Sequence, residues 1–154
     1  MSLFTLRDAT EGDAAAITAL HTANWRETYA GILDPAYLAG PIEADRRAVW
    51  QERLTAPPSD LEVIVAEAGG NLLGFASLFH EREPGWGGFV DNLHSAASAR
   101  GKGVGKALLI EAARRVAARD PGKGLYLWVF ERNEGAVGFY RALGADIAER
   151  IDSD

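Results

Sequence analysis

The chain has 154 residues, 47% of them hydrophobic, and this length and composition suit one globular domain over residues 1–154. The absence of cysteine excludes disulfide bonds, thiolate zinc sites and a cysteine nucleophile, and three scattered histidines lack metal-ligand spacing, so we expect no metal. A net charge of −6 argues against nucleic-acid binding, and without a signal segment or a long apolar run we expect a soluble, cytoplasmic protein with no membrane partner.

The first half of the chain predicts a strand, two helices and a pair of strands. Alternation of apolar and polar residues predicts a strand over 4–9, and an apolar helical stretch follows over 11–29. An Asp-Pro pair ends that helix, and a second helix is predicted over 42–54. Two apolar runs joined by a Gly-Gly-Asn turn predict a hairpin of strands 61–68 and 72–81.

The second half predicts strands that alternate with helices. A strand over 88–95 precedes a helix over 104–119, whose apolar residues have the spacing of a helix that lies on a sheet. A buried strand over 124–131, a helix over 134–143 and one short strand within 144–154 complete the chain. This order indicates the α/β (α+β) class, with one mixed sheet covered by helices on both faces.

The stretch ARGKGVGKALL, residues 99–109, lies between a predicted strand and a predicted helix. Glycines at such a turn expose backbone N–H groups at the positive end of the helix, which favours an anion. Arg100, Lys102 and Lys106 add positive charge in a chain that is otherwise acidic. The stretch therefore predicts a site for an anionic ligand of limited size, most simply a phosphate group.

Two common phosphate-binding motifs do not fit this stretch. A Walker A loop would need glycine at Arg100 and serine or threonine at Ala107. The dinucleotide-binding fingerprint places Lys106 or Leu108 where its third glycine belongs. The pattern that remains is Arg-x-x-Gly-x-Gly, residues 100–105.

This pattern resembles the signature of the GNAT superfamily of acyl-CoA-dependent N-acyltransferases, which is Gln or Arg, two residues, Gly, one residue, and Gly or Ala. The resemblance extends to W-R-E-T-Y at 25–29, Asn-Leu-His at 92–94 and N-x-x-A-x-x-F-Y-x-x-L-G at 133–144, and so covers nearly the whole chain. It implies a mostly antiparallel central sheet of six to seven strands. It also implies direct transfer of an acetyl group from acetyl-CoA to a primary amine of a small molecule or peptide.

The resemblance assigns coenzyme A to the loop and to the strand before it. Backbone N–H groups would hold the pyrophosphate, the pantetheine arm would pair with the strand at a bulge, and an N–H near Leu93 would polarise the thioester carbonyl. Asn133 would contact the coenzyme arm or cap its helix. The implied coenzyme-binding residues are Leu93, His94, Ser95, Arg100, Gly101, Lys102, Gly103, Val104, Gly105, Lys106, Asn133 and Tyr140.

Tyr140 matches the family tyrosine that protonates the departing thiolate. A phenol suits this role, because its ordinary pKa of about 10 lies above that of a thiol, about 8.5. The alternative is a tyrosine that only packs its helix against the sheet.

The general base has several candidates. Many relatives carry a glutamate early in the fourth strand, but Phe89 occupies that position here. Asp91 lies two residues further and so on the same face of a regular strand, with His94 on the other face. Glu81 or a water chain are the remaining alternatives, and His94 could simply be a buried, hydrogen-bonded core residue.

The acceptor pocket implied by the resemblance lies between the first two helices and the ends of the central strands. Trp25, Tyr29 and His80 are its predicted substrate-binding residues, with Tyr37 and Trp86 as further candidates. Aromatic residues in small domains are more often core residues, and this alternative remains open.

Two other functions are compatible with the sequence. The residue at the usual base position and the short C-terminal segment would also suit an inactive acyl-CoA-binding sensor or partner-binding domain. A nucleotide-binding domain is the second alternative. Relatives end in a hairpin of two strands, whereas this chain has room for one, so an exposed edge and a possible homodimer are predicted.

Overall fold

The computed structural model describes residues 3–83, 85–130 and 132–146. The strands are β1 (Thr5–Asp8), β2 (Leu61–Ala68), β3 (Asn71–Phe79), β4 (Gly88–Ser95) and β5 (Leu125–Tyr126). The helices are α1 (Ala14–Thr28), α2 (Pro35–Ala39), α3 (Pro41–Thr55), α4 (Val104–Arg119) and α5 (Glu134–Ala142). No helix in these described ranges is long and apolar enough to cross a membrane.

The five strands form one sheet in the order β1-β2-β3-β4-β5. The first three pairs are antiparallel, and β4 and β5 are parallel, so the predicted mixed, mostly antiparallel sheet is confirmed. The expected number of six to seven strands is corrected to five within the described residues. The strand predicted over 124–131 pairs with the sheet only at β5. The strand predicted within 144–154 lies for the most part outside the described residues. The exposed edge and the homodimer therefore stay predictions.

Helices cover both faces of the sheet, as the order of elements predicted. On one face, α4 packs its apolar stripe against the central strands. The buried residues of this cluster are Ile64, Ala66, Ala76, Leu78, Val90, Ala99, Val104, Leu108, Ala112 and Val116. On the other face, α1 and α3 cover a second cluster, which consists of Ile17, Trp50, Val63, Val65 and Phe75. The apolar faces of α1, α3 and α4 are therefore covered by the sheet, as a layered α/β domain requires, whereas α5 has no buried residue.

The short helix α2 was not predicted, because its Asp-Pro pair was interpreted only as a helix breaker. In the structure the Asp34 side chain accepts a hydrogen bond from the N–H of Ala36 at 2.9 Å, and Pro35 occupies the first helical position. Both features start helices, since the cap satisfies a free N–H and proline is already set at a helical φ. Helix α1 has already ended at Thr28, so these two residues begin a new helix and do not break the first one.

Candidate active site

The glycine-rich loop ends at the start of α4, where a row of backbone N–H groups is free. The N–H groups of Gly101 and of residues 103–106 donate no hydrogen bond to any residue that the structure describes. The first N–H groups of a helix have no partner within the helix, and they carry its positive dipole. They form a cradle of donors for an anion, as the sequence predicted.

Two glycines of the loop have a backbone conformation that other residues rarely adopt. Gly101 and Gly103 have φ of +80° and +81°, and no atom lies within 4 Å of the position a Cβ would take at either. Both glycines thus present an open face beside the free N–H groups, and any other residue would be strained there. The donor set and the open face fit a pyrophosphate.

The loop lies against the end of β4 and the middle of α5. A Cβ on Gly105 would lie 3.5 Å from Oγ of Ser95 and 3.3 Å from Cζ of Phe139. The cradle is therefore continuous with the last residue of β4. It is also next to the helix that carries Tyr140.

Strand β4 has a free edge over most of its length. It pairs with β5 only through Gly88 with Leu125 and Phe89 with Tyr126, after which β5 ends. On that side residues 90–95 have no strand partner in the described part of the chain. An extended ligand chain can pair with such an edge through main-chain hydrogen bonds, like an added strand. The predicted separation of β4 from its neighbour is thus observed.

A bulge in β4 changes which side chains share a face of the sheet. Val90 pairs with Leu78 and Asn92 pairs with Ser77, so Asp91 is an extra residue without a partner in β3. Asp91 forms an ion pair with α3, and His94 bonds to α1, which covers the same face. The prediction that His94 points away from Asp91 is therefore wrong, because strict alternation fails across the bulge.

The sequence profile of the "Acetyltransferase (GNAT) family" matches residues 17–145, which include the loop, the free edge and Tyr140. The chain belongs to this family. It is an acetyl-CoA-dependent N-acetyltransferase, and the free N–H groups and open edge fit coenzyme A. GNAT acetyltransferases act on amine acceptors.

Known proteins similar to this GNAT chain match it over most of its length. A probable N-acetyltransferase of Mycobacterium tuberculosis is 29% identical over 140 residues, which cover 88% of this chain and 75% of that protein. An uncharacterized N-acetyltransferase of Bacillus subtilis is 27% identical over 99% of this chain and 84% of its own. The crystal structure of PaiA N-acetyltransferase from Thermoplasma acidophilum, in complex with coenzyme A, has the same fold, with a TM-score of 0.83, 23% identity and coverage of 100% and 96%.

Tyr140, the predicted acid, lies on α5 beside Phe139, with 5.3 Å between the ring centroids. Burial raises the pKa of the Tyr140 phenol to about 12. The phenol therefore keeps its proton throughout the neutral range. It can donate that proton, but it cannot act as a base there.

Asp91 is held by one oxygen only. Its Oδ2 lies 2.8 Å from Nη2 of Arg53, a residue of α3 whose Nη1 also donates to Oγ of Ser77 at 3.3 Å. The other oxygen, Oδ1, is buried and has no hydrogen-bond partner among residues 3–83, 85–130 and 132–146. Arg53 keeps the carboxylate in place and leaves its second oxygen without a donor in the described residues.

His94 is bound on its Nδ1 side. Nδ2 of Asn24 lies 3.2 Å from Nδ1, and the ring packs against His21 and Phe75 with centroid distances of 4.6 and 5.2 Å. Burial lowers the pKa of His94 to about 4, so the imidazole is neutral at pH 7. These contacts weaken the hypothesis of His94 as a base.

Trp25 and Tyr29 are one helical turn apart at the end of α1, with ring centroids 5.0 Å apart. Tyr29 lines a cleft of about 370 Å³ between the end of α1 and the start of α5, and Phe130 lies across it at 5.7 Å. Asn133 also lines this cleft, and its side chain caps α5 by accepting the N–H of Ala136 at 3.2 Å. Of the two roles predicted for Asn133, the cap is observed.

His80 is not close to the other predicted substrate-binding residues. Its Nε2 bonds to the carboxylate of Glu62, which also accepts from Arg115 of α4 at 3.1 Å. Helix α4 covers the face opposite α1, which carries Trp25 and Tyr29. We therefore leave His80 out of the acceptor region, since strand order alone did not fix its face.

Sequence reasoning missed the α1 residues that contact the loop. Arg100 forms a bidentate ion pair with Glu27, with N–O distances of 2.7 and 3.0 Å. Its Nη2 also lies 3.5 Å from Oδ1 of Asn24. The available signal was the spacing of His21, Asn24 and Glu27 at every third position of the first helix. This spacing puts a polar stripe on a face that would otherwise be apolar.

Proposed function

We propose that this chain transfers the acetyl group of acetyl-CoA directly to a primary amine of a small molecule or peptide. The observation that carries the proposal is the continuity of the N–H cradle at residues 101–106 with the free edge of β4. A phosphate-bearing coenzyme with an extended arm needs both features in this order. No cysteine is present to carry the acetyl group, which favours direct attack by the amine.

The chain's own groups supply each of the required interactions with the coenzyme. The helix α4 N-terminus and the glycine turn bind the pyrophosphate, with Lys102 and Lys106 adding positive charge. The arm pairs with the edge of Leu93, His94 and Ser95. Acetyl-CoA supplies the reactive thioester, and the N–H near Leu93 donates to the thioester oxygen as it gains negative charge.

Two proton transfers accompany the reaction. The attacking nitrogen forms the new N–C bond and the C–S bond breaks, so one proton leaves the amine and one reaches sulfur. Asp91 accepts the amine's proton at Oδ1, directly or through water, while Arg53 holds Oδ2. Tyr140 donates to the departing sulfur and regains its proton from solvent. General acid or base groups of this kind contribute about 10²–10⁴-fold each.

The acceptor enters from the side of α1. The aromatic pair Trp25 and Tyr29 supplies an apolar wall, and the cleft between Tyr29 and Phe130 leads toward α5. Such a wall suits the carbon skeleton of a small amine or the side chains of a peptide end. Function is decided by the site and not by the fold, so the acceptor must be found by assay.

The test is release of coenzyme A thiol from acetyl-CoA in the presence of a panel of amines. The panel includes aliphatic monoamines, diamines, amino acids, aminoglycosides and short peptides with free N-termini or lysines. Amine-dependent release, with one acetyl group found on the acceptor nitrogen by mass spectrometry, is the expected result. Coenzyme binding without release on any amine would instead favour the acyl-CoA sensor.

A further inference from the structure

A buried amide on α1 joins three parts of the site. Asn24 is 8% exposed, and its Nδ2 lies 3.1 Å from the carbonyl oxygen of Ser95 and 3.2 Å from Nδ1 of His94. Its Oδ1 lies 3.5 Å from Nη2 of Arg100. One side chain thus contacts the last two residues of β4 and the first residue of the coenzyme loop.

The chemistry of the partners determines the orientation of this amide. A backbone carbonyl, here that of Ser95, can only accept a hydrogen bond, and the Arg100 guanidinium can only donate one. The NH₂ group of Asn24 must therefore face Ser95, and its oxygen must face Arg100. The reversed amide would place oxygen against oxygen and nitrogen against nitrogen.

This orientation determines which nitrogen of His94 carries the proton. The second N–H of Asn24 points at Nδ1, so Nδ1 has to be the unprotonated, accepting nitrogen. In a neutral imidazole the proton is then on Nε2. That N–H donates to no residue that the structure describes, so it remains available to a ligand.

We propose that Asn24 is a positioning residue that holds His94 as a neutral Nε2–H hydrogen-bond donor toward an oxygen of a bound ligand. A base must accept a proton, and both the occupied Nδ1 and the protonated Nε2 oppose this. His94 therefore orients a carbonyl or hydroxyl oxygen, and Asp91 is left as the proton acceptor. The assignment of the tautomer stands by itself, whereas its catalytic consequence rests on the proposed acetyl transfer.

A neighbouring histidine is held in the same way and supplies an internal control. Nε1 of Trp50 is a donor only, and it lies 2.9 Å from Nδ1 of His21, so His21 also carries its proton on Nε2. The two imidazole rings are 4.6 Å apart, and a positive charge on either ring would be buried without a carboxylate partner in the described residues. Substitution of Trp50 should release His21 and leave His94 unchanged.

The second link from Asn24 runs to the coenzyme loop. The Arg100 guanidinium donates hydrogen bonds to Asn24 and to Glu27, which lies one turn further along α1. Ser95 and Arg100 bound the short segment that connects β4 to the loop. Contacts from one helix to both ends of this segment keep the free edge and the N–H cradle in register.

The first test is the tautomer of His94, measured by long-range proton–nitrogen NMR of protein labelled with ¹⁵N-histidine. With three histidines in the chain, His94→Gln and His80→Gln assign the signals. The expected result at pH 7 is a bare Nδ1 and a protonated Nε2 for His94. Asn24→Asp should move the proton to Nδ1, because a carboxylate only accepts, while Trp50→Phe should change His21 alone.

A protonated Nδ1 or a charged His94 in the wild-type protein at pH 7 would overturn the proposal. This measurement needs no acceptor and no active enzyme, so it decides the tautomer even if acetyl transfer is not found. The wild-type spectrum also decides it if a variant fails to fold.

The second test separates a donor from a base by kinetics. His94→Ala removes the donor, and His94→Gln restores an N–H near the position of Nε2 without a titratable group. We expect the glutamine variant to recover at least about tenfold of the kcat lost by the alanine variant, because one positioned hydrogen-bond donor at a reacting oxygen is typically worth about 10²–10³-fold in kcat. Equal loss in both variants, with a pH profile that flattens, would mean that His94 transfers a proton.

Discussion

Arg53 binds one oxygen of Asp91, at 2.8 Å from Oδ2, and leaves the buried Oδ1 without a partner among the described residues. A buried carboxylate oxygen with no donor is costly, typically by about 1–3 kcal/mol or more for a charged group. The lack of a donor at this oxygen, next to a strand bulge, has an explanation if a bound ligand supplies the missing hydrogen bond. An amine that arrives with its N–H bonds is a ligand of this kind.

Asp91→Asn should therefore lower kcat/KM for the amine by about 10²–10³-fold, because an amide cannot take up the amine's proton. Affinity for acetyl-CoA should be nearly unchanged, since the proposed coenzyme site, at the loop and the end of β4, does not include Asp91. Thiol release with varied amine, and calorimetry with coenzyme A, measure the two effects. The matched control is Asp45→Asn, an exposed carboxylate on α3 whose one side-chain hydrogen bond within the described residues is from the Tyr37 hydroxyl. An unchanged kcat/KM between pH 6 and 9 would remove Asp91 from the mechanism.

Tyr140→Phe should lower the rate of acetyl transfer by about 10²-fold or more, with little change in coenzyme affinity. The phenol's pKa of about 12 means that the acid form persists across the neutral and mildly basic range. If the rate falls above pH 8, deprotonation of Tyr140 should therefore not be the cause. Single-turnover measurement of thiol release isolates the chemical step. A rate equal to wild type at every pH would leave Tyr140 with a packing role beside Phe139.

Gly103→Val should abolish binding of coenzyme A. A β-branched residue strongly disfavours the φ of +81° at this position, and its side chain would project into the open face of the cradle. Gly122→Val is the matched control, because Gly122 has a φ of +91° and open space but lies after α4, away from the loop. Both variants should lose a similar amount of stability, about 1–2 kcal/mol. If Gly103→Val bound coenzyme A as well as Gly122→Val did, the loop would not be the pyrophosphate site.

Local signals explain which parts of the site could be predicted. The loop at residues 100–105 and the helix after it are set by glycine spacing and apolar periodicity, which act over a few residues. The break between β4 and β5 could be expected only through the resemblance to a family. The short strand β5 reflects the same break, since residues beyond Tyr126 have no ladder partner in the described chain.

The parts that failed depend on contacts between distant segments. A one-residue bulge at Asp91 moved His94 to the same face of the sheet, and no local pattern marks a bulge in a strand of this composition. His80 was placed in the acceptor pocket without knowledge of its strand's register. Asn24 contacts residues about 70 positions away, so its role followed only from the packing of α1 on β4.

The buried His21 and the half-buried His94 should make the protein less stable in mild acid. Burial lowers the pKa of His94 from an ordinary value of 6.5 to about 4, and that of His21 to about 2, where His94, Arg46 and Arg53 add repulsion. Below pH 6.5 the unfolded chain binds more protons than the folded chain, so stability falls as the pH drops toward 4. Each histidine contributes a slope of up to about 1.4 kcal/mol per pH unit in this window.

Urea unfolding between pH 7.5 and 4.5 measures this slope. His94→Gln should reduce the slope by the contribution of about one titrating histidine. The slope, and not the absolute stability, is the readout, because the substitution also alters packing. Equal slopes for the wild type and the variant would mean that His94 is accessible to protons in the folded protein.

We propose that residues 100–106 and the free edge of β4 bind acetyl-CoA for transfer to an amine. The most direct measurement is calorimetric titration of the wild-type protein with acetyl-CoA, coenzyme A, ATP and NAD, followed in the same preparation by thiol release with the amine panel. We predict saturable binding of acetyl-CoA and coenzyme A, much weaker binding of ATP and NAD, and amine-dependent thiol release. Binding of ATP or NAD in preference to coenzyme A, or no binding of coenzyme A, would mean that the loop and the strand edge are not an acetyl-CoA site.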